Sequence, residues 1–176
     1  DQMGAIMLAY GIITALYTRE RFGIGQEVDS SHLGSMMALQ GLNLSSRLTL
    51  GKEFRRSYRH KAPNPLWNHY KCGDGKWICL AMIQADRYWP DLCKALGKPE
   101  ISDDPKFATM VARAANQELI LILDGVFSTR TYQEWRQTLM EQVPKLPFDT
   151  VQTIAEVAED PQVIENGYII EFDHRT

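Results

Sequence analysis

A basic stretch that ends in prolines divides this sequence of 176 residues. Six side chains between positions 49 and 66 are cationic or histidine: Lys52, Arg55, Arg56, Arg59, His60 and Lys61. Pro63 and Pro65 follow, and proline lacks the backbone donor that helices and central strands need. We therefore predict a linker over residues 49–66, with a separate folded unit on each side.

The first part of the chain opens with an apolar helix that is rich in small residues. Residues 4–21 carry no charge before Arg19, and small side chains recur at Gly4, Ala5, Ala9, Gly11 and Ala15. This pattern predicts a helix that packs closely on its neighbours and is buried on several faces. Glycines after residue 22 predict its end. A short strand at 26–29 and a helix over 33–48 follow, which is typical of a layered α/β domain.

The second part predicts a small mixed unit. Strands at residues 68–72 and 76–81 flank a Gly-Asp-Gly turn, which indicates a hairpin. Helices are predicted over residues 86–96 and 108–127. Thr131 is a predicted helix cap, with Glu134 three residues later as in a capping box. Thr153 is predicted to cap a further helix whose first turns are acidic. Further strands are predicted at 148–152 and 168–172.

Composition narrows the possible functions. The net charge of −3 gives no general attraction to nucleic acid or to an acidic membrane. No apolar run approaches the roughly 20 residues that a membrane span needs. Three cysteines without a dense framework, Cys72, Cys79 and Cys93, predict reduced thiols in a cytoplasmic protein and no metal site.

Three stretches, in this order and spacing, carry a family resemblance. The first is Asp1-x-x-Gly4 with the later run Arg-Glu-Arg-Phe-Gly-Ile-Gly-Gln-Glu-Val-Asp at 19–29. The second is the turn sequence at 70–77, and the third runs from Trp89 through Gly-Lys-Pro-Glu at 97–100 to Asp-Pro-Lys-Phe at 104–107. Together they resemble the CoA-transferases of family III, the carnitine dehydratase/bile-acid-inducible (CaiB–BaiF) group.

The resemblance implies an α/β fold with a particular domain order. Residues 1–48 are expected to end a Rossmann-like, CoA-binding large domain, and residues 49–66 form the linker. Residues 67–165 would form a small α/β domain, and residues 166–176 would return toward the large domain. Because family members are about twice as long, we expect a fragment that begins at the catalytic aspartate. An interlocked homodimer in the cytoplasm is also expected.

The resemblance assigns the catalytic carboxylate to Asp1. It implies that coenzyme A moves between an acyl-CoA donor and a carboxylic acid through aspartyl mixed-anhydride and thioester intermediates, without a metal. Taken alone, an aspartate before a helix is more often an N-cap. A terminal Asp1 also carries a free α-amino group, so residues 1–176 alone are expected to have little or no activity.

Five further residues are candidate contacts for CoA or the acid. His32 is expected to touch the acyl group or the thiol end of CoA, although a histidine at a helix start commonly faces solvent. Met36 would line an acyl pocket unless it belongs to the core. Arg55 would meet CoA phosphates unless the linker is simply solvated. The resemblance places Trp67 and His69 where the small domain faces the active site.

The sequence leaves more than one possibility for the substrate and for the reaction. Residues 62–67 read Ala-Pro-Asn-Pro-Leu-Trp where formyl-CoA transferases carry a glycine-rich loop, which favours a bulkier or more apolar acid than oxalate or formate. The same family contains α-methylacyl-CoA racemases, which exchange an α-proton by acid–base chemistry. A non-catalytic dimerisation or binding module is the third possibility.

Overall fold

The computed structural model describes residues 1–52 and 58–172. The chain divides into two compact units, Asp1–Arg56 and Ser57–Thr176. This division lies inside the stretch that the sequence predicts as a linker. The secondary structure combines helices with a small sheet, so the chain is an α/β protein, as expected.

In its described residues the first unit contains three helices, α1 (Gln2–Phe22), α2 (His32–Leu39) and α3 (Gly41–Leu50). The helix predicted over residues 33–48 is therefore interrupted at Gln40, whose φ of −93° and ψ of 17° depart from helical values. The predicted strand at 26–29 is wrong, because residues 24–31 are irregular. A strand needs a neighbour for its backbone hydrogen bonds, and the described part of this unit offers none.

Helix α1 has the predicted boundaries but not the predicted burial. It ends at Gly23, whose positive φ of 71° is the left-handed cap that glycine adopts without strain. Apolar side chains surround the helix, yet Tyr10 and Ile13 are 69% and 66% exposed. Of the described residues of this unit, only Ser35 is buried. Two short helices do not cover a long helix that is apolar on every side.

The second unit contains a three-stranded antiparallel sheet in the order β1 (Trp67–Lys71), β2 (Trp77–Ala81), β3 (Phe148–Thr150). Asn68 pairs with Leu80 and Tyr70 with Ile78, and these four side chains are buried on one face. The predicted hairpin is confirmed. Gly75 supplies its positive φ of 86°.

Six helices cover and follow this sheet in the described residues: α4 (Trp89–Ala95), α5 (Met110–Ala115), α6 (Glu118–Phe127), α7 (Tyr132–Gln142), α8 (Ile154–Ala158) and α9 (Pro161–Glu165). The predicted caps Thr131 and Thr153 both form complete capping boxes. The helix predicted over 108–127 is split, because Asn116 leaves helical geometry and donates to the carbonyl of Ala112. The strand predicted at 168–172 is not formed.

An aromatic stack forms the centre of the core. The ring of Phe127 lies 5.2 Å from that of Tyr70 and 5.3 Å from that of Trp135, between centroids. The indole nitrogen of Trp135 donates to the carbonyl of Phe127 at 2.9 Å. Such aromatic pairs contribute about 0.5–1.5 kcal/mol each beyond the area they bury.

A buried arginine ties three segments of the second unit together. Arg113 on α5 is fully buried, and its guanidinium donates to the carbonyl of Phe107 at 2.6 Å and to the carboxylate of Asp86. The same group lies 4.8 Å from the ring centroid of Trp89 on α4. A planar group with five donors suits this arrangement better than an ammonium would.

In the described residues, no helix is long and apolar enough to span a membrane.

The thiols of Cys72, Cys79 and Cys93 form no disulfide. Burial raises the pKa of the Cys72 thiol to about 11 and that of Cys93 to about 12. Both thiols are therefore protonated at neutral pH and are poor nucleophiles.

Candidate active site at the start of helix α1

Asp1 occupies the N-cap position of α1 without capping it. Its backbone carbonyl accepts the first helical hydrogen bond, from the amide of Ala5 at 3.0 Å, but its carboxylate accepts none from the first turn. Ser31 provides the contrast, because its hydroxyl accepts from the amide of Gly34 at 3.0 Å and caps α2. The Asp1 carboxylate is exposed and has no partner in the described part of the chain.

His32 is seated directly on the first turn of α1. A Cβ atom placed on Gly4 would lie 2.4 Å from Nδ1 and 2.7 Å from Cε1 of His32, which is far inside contact distance. The imidazole ring therefore rests where only glycine leaves room. Further along α1, a Cβ on Gly11 would lie 2.8 Å from Val28. Because Gly4 and Gly11 lack side chains, the segment that leads into α2 can pack against α1.

A cavity of about 360 Å³ opens between these two segments. Its lining consists of Asp1, Gly4, Ala5, Leu8, Ser30 and His32. Residues 1, 4, 5 and 8 share one face of a helix, because 3.6 residues complete each turn. The structure therefore brings two of the predicted site residues, Asp1 and His32, to one cavity.

The helix contributes to the electrostatics of the cavity. The first amides of α1 have no side-chain cap, and its first turn carries no acidic residue. Uncapped amides at a helix N-terminus carry positive partial charge, equivalent to about half an elementary charge. That field favours a carboxylate at Asp1 and stabilises negative charge that develops beside it.

The other predicted residues lie elsewhere. Met36 is on α2, 44% exposed, and does not line this cavity. Arg55 lies outside the described residues. Trp67 and His69 belong to the second unit, where both project from the exposed face of β1. The His69 ring makes an edge contact with Trp77, with 5.6 Å between the centroids.

Arg59, from the predicted basic linker, is engaged within the second unit. Its guanidinium forms a two-pronged ion pair with Asp124, with both N–O distances at 2.8 Å. It also lies 5.8 Å from the ring centroids of Tyr70 and Trp77. This pair joins residues 65 positions apart in the sequence, and it leaves Arg59 poorly available for a phosphate.

Sequence reasoning missed three residues that line the cavity, Ala5, Leu8 and Ser30. The spacing of Ala5 and Leu8 from Asp1, four and seven positions, was a usable signal because such residues share a helix face. Nothing in the sequence marked Ser30 apart from the equally polar Ser31. In the described residues, no cluster of three or more His, Cys, Asp or Glu side chains is arranged to hold a metal.

Comparison with solved structures gives the class of protein. The chain superposes on a CaiB/BaiF family protein from Brucella suis with a TM-score of 0.80 and 25% identity, over 94% of this chain and 43% of that one. A sequence model of CoA-transferase family III matches residues 1–176. The chain belongs to CoA-transferase family III, as the resemblance indicated.

Curated relatives carry names from the same family. The chain is 27% identical to the (R)-2-hydroxy-4-methylpentanoate CoA-transferase of Clostridioides difficile, over 96% of its own length and 42% of that protein's. It is 29% identical to the succinyl-CoA–D-citramalate CoA-transferase of Chloroflexus aurantiacus, over 97% of this chain and 42% of that protein. The chain thus spans less than half the length of these relatives.

Proposed function

We propose that the protein transfers coenzyme A from an acyl-CoA to a carboxylic acid, with Asp1 as the nucleophile. One observation carries the proposal: the Asp1 carboxylate is free of a capping role and opens on a cavity at the positive end of α1. Family membership supports the same chemistry. Because the chain spans less than half of its relatives, the proposal concerns the protein as its gene encodes it.

The reaction needs a carboxylate for a definite reason. A carboxylate oxygen of Asp1 attacks the thioester carbonyl, and the C–S bond breaks to give a mixed anhydride and the CoA thiolate. The thiolate attacks the Asp1 carbonyl carbon, which releases the donor acid and leaves an aspartyl thioester. The acceptor carboxylate attacks that thioester, and its C–S bond breaks to give a second mixed anhydride and the CoA thiolate. The thiolate then attacks the acceptor's carbonyl carbon, which forms the new acyl-CoA and releases the Asp1 carboxylate.

Each step passes through a tetrahedral oxyanion beside the first turn of α1. The uncapped amides of that turn supply donors and positive potential where the negative charge develops. Removing one such donor in other enzymes costs about 10²–10³ in rate, so this contribution is substantial.

Further assignments rest on the family resemblance. We propose that His32, Met36, Arg55, Trp67 and His69 contact CoA or the acids, and that no metal takes part. We also propose that residues 1–48 belong to a Rossmann-like large domain and residues 67–165 to a small domain, with 49–66 as linker and 166–176 as the return. A cytoplasmic homodimer completes the proposal.

Two alternatives to CoA transfer predict different chemistry. A racemase exchanges the α-proton of its acyl-CoA and forms no aspartyl adduct, and a binding module does neither. The names of the relatives, which are CoA-transferases, favour transfer.

Trapping of the intermediate tests the proposal. The gene-encoded protein is incubated with succinyl-CoA, quenched with hydroxylamine or borohydride, and digested for peptide mass spectrometry. We expect the modification on the peptide that bears Asp1 and none in an Asp1→Asn variant. An unmodified Asp1 together with α-deuterium incorporation would establish racemisation. If neither the modification nor the deuterium incorporation is detected, only a binding role remains.

A further inference from the structure

The end of the basic stretch is folded onto the second unit, although the sequence predicts it as linker. Arg59–Lys61 form a single 3₁₀ turn, in which the amides of Lys61 and Ala62 donate to the carbonyls of Tyr58 and Arg59. The side chain of Ala62 belongs to the apolar core of the unit. An isolated turn with so few hydrogen bonds is not stable by itself, so contacts outside the turn hold it in place.

Arg59 makes such contacts with both its side chain and its backbone. The guanidinium donates to the two carboxylate oxygens of Asp124 on α6, at 2.8 Å each. It also lies 5.8 Å from the ring centroids of Tyr70 and Trp77, within reach of a cation–π attraction. The backbone carbonyl of Arg59 accepts from the side-chain amide of Asn68, a buried residue of β1, at 3.1 Å. One residue is thereby fixed both to α6 and to the sheet.

Asp124 is poorly placed for the helix that carries it. The last turn of α6 comprises residues 124–127, and the partial negative charge at a helix C-terminus disfavours a carboxylate there. This turn carries no basic side chain that would offset the charge. The Asp124 and Arg59 side chains are 29% and 27% exposed, so their ion pair is partly shielded from water. The favourable interaction of Asp124 is therefore with a segment 65 positions away, not with its own helix.

We propose that the Arg59–Asp124 ion pair is a clasp, a conformational device that holds residues 58–62 on the second unit. With the clasp closed, residues 51–57 join the two units. With the clasp open, residues 51–61 join them, so the clasp sets the length of the connector. The inference goes beyond the proposed function and does not depend on it, because the clasp belongs to the fold and its test needs no substrate.

Hydrogen–deuterium exchange of the gene-encoded protein tests the clasp. The amides of Lys61 and Ala62 form the hydrogen bonds of the turn, so their exchange, followed by mass spectrometry of peptic peptides, reports its local opening. Asp124→Ala removes both acceptors of the guanidinium, and alanine is a good helix former. We expect the exchange of these two amides to become about tenfold faster, which corresponds to the loss of one charged hydrogen bond.

A double-mutant cycle assigns the effect to the ion pair. Arg59→Met keeps an unbranched stem but removes the guanidinium, and it should accelerate exchange to a similar extent. Combining Arg59→Met with Asp124→Ala should add little to either change alone. Glu118→Gln is the matched control, because it removes another carboxylate of α6 from an ion pair, the exposed one with Lys106. It should leave the exchange of both amides unchanged.

The location of faster exchange decides the result. Acceleration confined to residues 58–62, with β1 and β2 unchanged, would support the clasp. Unchanged exchange in Asp124→Ala would overturn it and assign the anchoring to Asn68 and Ala62. Acceleration throughout the sheet would also overturn it, because the ion pair would then support the whole unit. If Asp124→Ala does not fold, Asp124→Asn keeps the shape of the side chain and one acceptor, and it should give a smaller acceleration in the same segment.

Discussion

At the scale of single residues, Asp1 is distinguished by a side chain that does not cap the helix it precedes. An aspartate at an N-cap ordinarily accepts a hydrogen bond from the first turn, and its replacement by alanine costs about 0.5–2 kcal/mol. The Asp1 carboxylate forms no such bond. Asp160, by contrast, caps α9 by accepting from the amides of Gln162 and Val163.

This contrast predicts opposite phenotypes for two aspartate substitutions. Asp1→Asn should lower kcat for CoA transfer by roughly a thousandfold or more, because the nucleophile is lost, with little change in the free energy of unfolding. Asp160→Ala should lower the free energy of unfolding, because it removes the cap of α9, and leave kcat unchanged. Urea unfolding and steady-state kinetics on both variants check this. A destabilised, active Asp1→Asn would identify Asp1 as an ordinary cap.

An exposed ion pair in the second unit gives a pH prediction. The Lys76 ammonium lies 2.7 Å from a Glu156 carboxylate oxygen, and this hydrogen bond is the main cause that lowers the pKa of Glu156 to about 2. Because the folded pKa is below the unfolded value near 4.5, the stabilisation is present above pH 4.5. It is lost as the pH falls toward 2.

NMR titration of the Glu156 side chain checks the prediction. The midpoint should lie near 2 in the wild type and rise in Lys76→Met, whereas Lys71→Met should leave it in place. The advantage in unfolding free energy of wild type over Lys76→Met should shrink as the pH is lowered from 5 to 2. An advantage that stays constant with pH would show that the pair does not stabilise the fold through charge.

At the scale of elements, Arg113 fixes how α4 and α5 meet. Lysine cannot reach the Phe107 carbonyl and the Asp86 carboxylate together, and it lacks the flat surface that lies over Trp89. We predict that Arg113→Lys lowers the free energy of unfolding by about 2–3 kcal/mol, the scale of a lost charged hydrogen bond. The exposed Arg87→Lys serves as the control, with a change within about 0.5 kcal/mol.

Thermal and urea unfolding of these variants test the role of Arg113. Equal stabilities of Arg113→Lys and wild type would mean that burial of the stem, rather than the forked guanidinium, holds the segments together. Asp86→Asn should cost less than Arg113→Lys, because the Asp86 side chain is 57% exposed and water can replace it.

Local signals were sufficient for some elements and insufficient for others. The hairpin, the capping box at Thr131 and the cap at Thr153 follow from residues within a few positions of one another, so the sequence predicts them correctly. The sequence predicts one helix over 33–48 and one over 108–127, because apolar spacing continues across Gln40 and Asn116. The backbone leaves helical geometry at both residues. The strands at 26–29 and 168–172 fail because a strand depends on a distant partner that no local pattern reveals.

The candidate site was predictable in chemistry but not in geometry. The family resemblance points to Asp1 as the nucleophile and to His32 as a contact for the acyl group or the thiol end of CoA. The contact between Gly4 and His32 joins residues 28 positions apart in the sequence. The ion pair between Arg59 and Asp124 joins residues 65 positions apart. Such pairings are set by tertiary packing, which spacing along one helix or strand does not encode.

At the scale of the whole molecule, the two units differ in how much they bury. Every buried hydrophobic side chain among the described residues belongs to the second unit, and they form one cluster. The first unit buries only Ser35 in the described part. Because burial of apolar surface is the main favourable contribution to folding, the second unit has a source of stability that the first lacks.

Expression of the separate units tests this difference. Residues 57–176 alone should unfold cooperatively on heating, with dispersed amide NMR signals. Residues 1–56 alone should show at most partial helicity and no cooperative transition, since isolated helices are marginal in water. Cooperative unfolding of residues 1–56 would show that its three helices stabilise one another without an apolar core.

The uneven burial also bears on biosynthesis. The ribosome releases residues 1–56 before residues 57–176, so the helices of the first unit emerge before the unit that contains the core. Its apolar helix, with Ile6, Tyr10 and Ile13 exposed, needs a cover that the other described residues of the first unit do not supply. Nascent chains in that condition depend on chaperones and are sensitive to translation rate. For this protein, yield at high expression is expected to be limited by the first unit, even though the second unit contains the core.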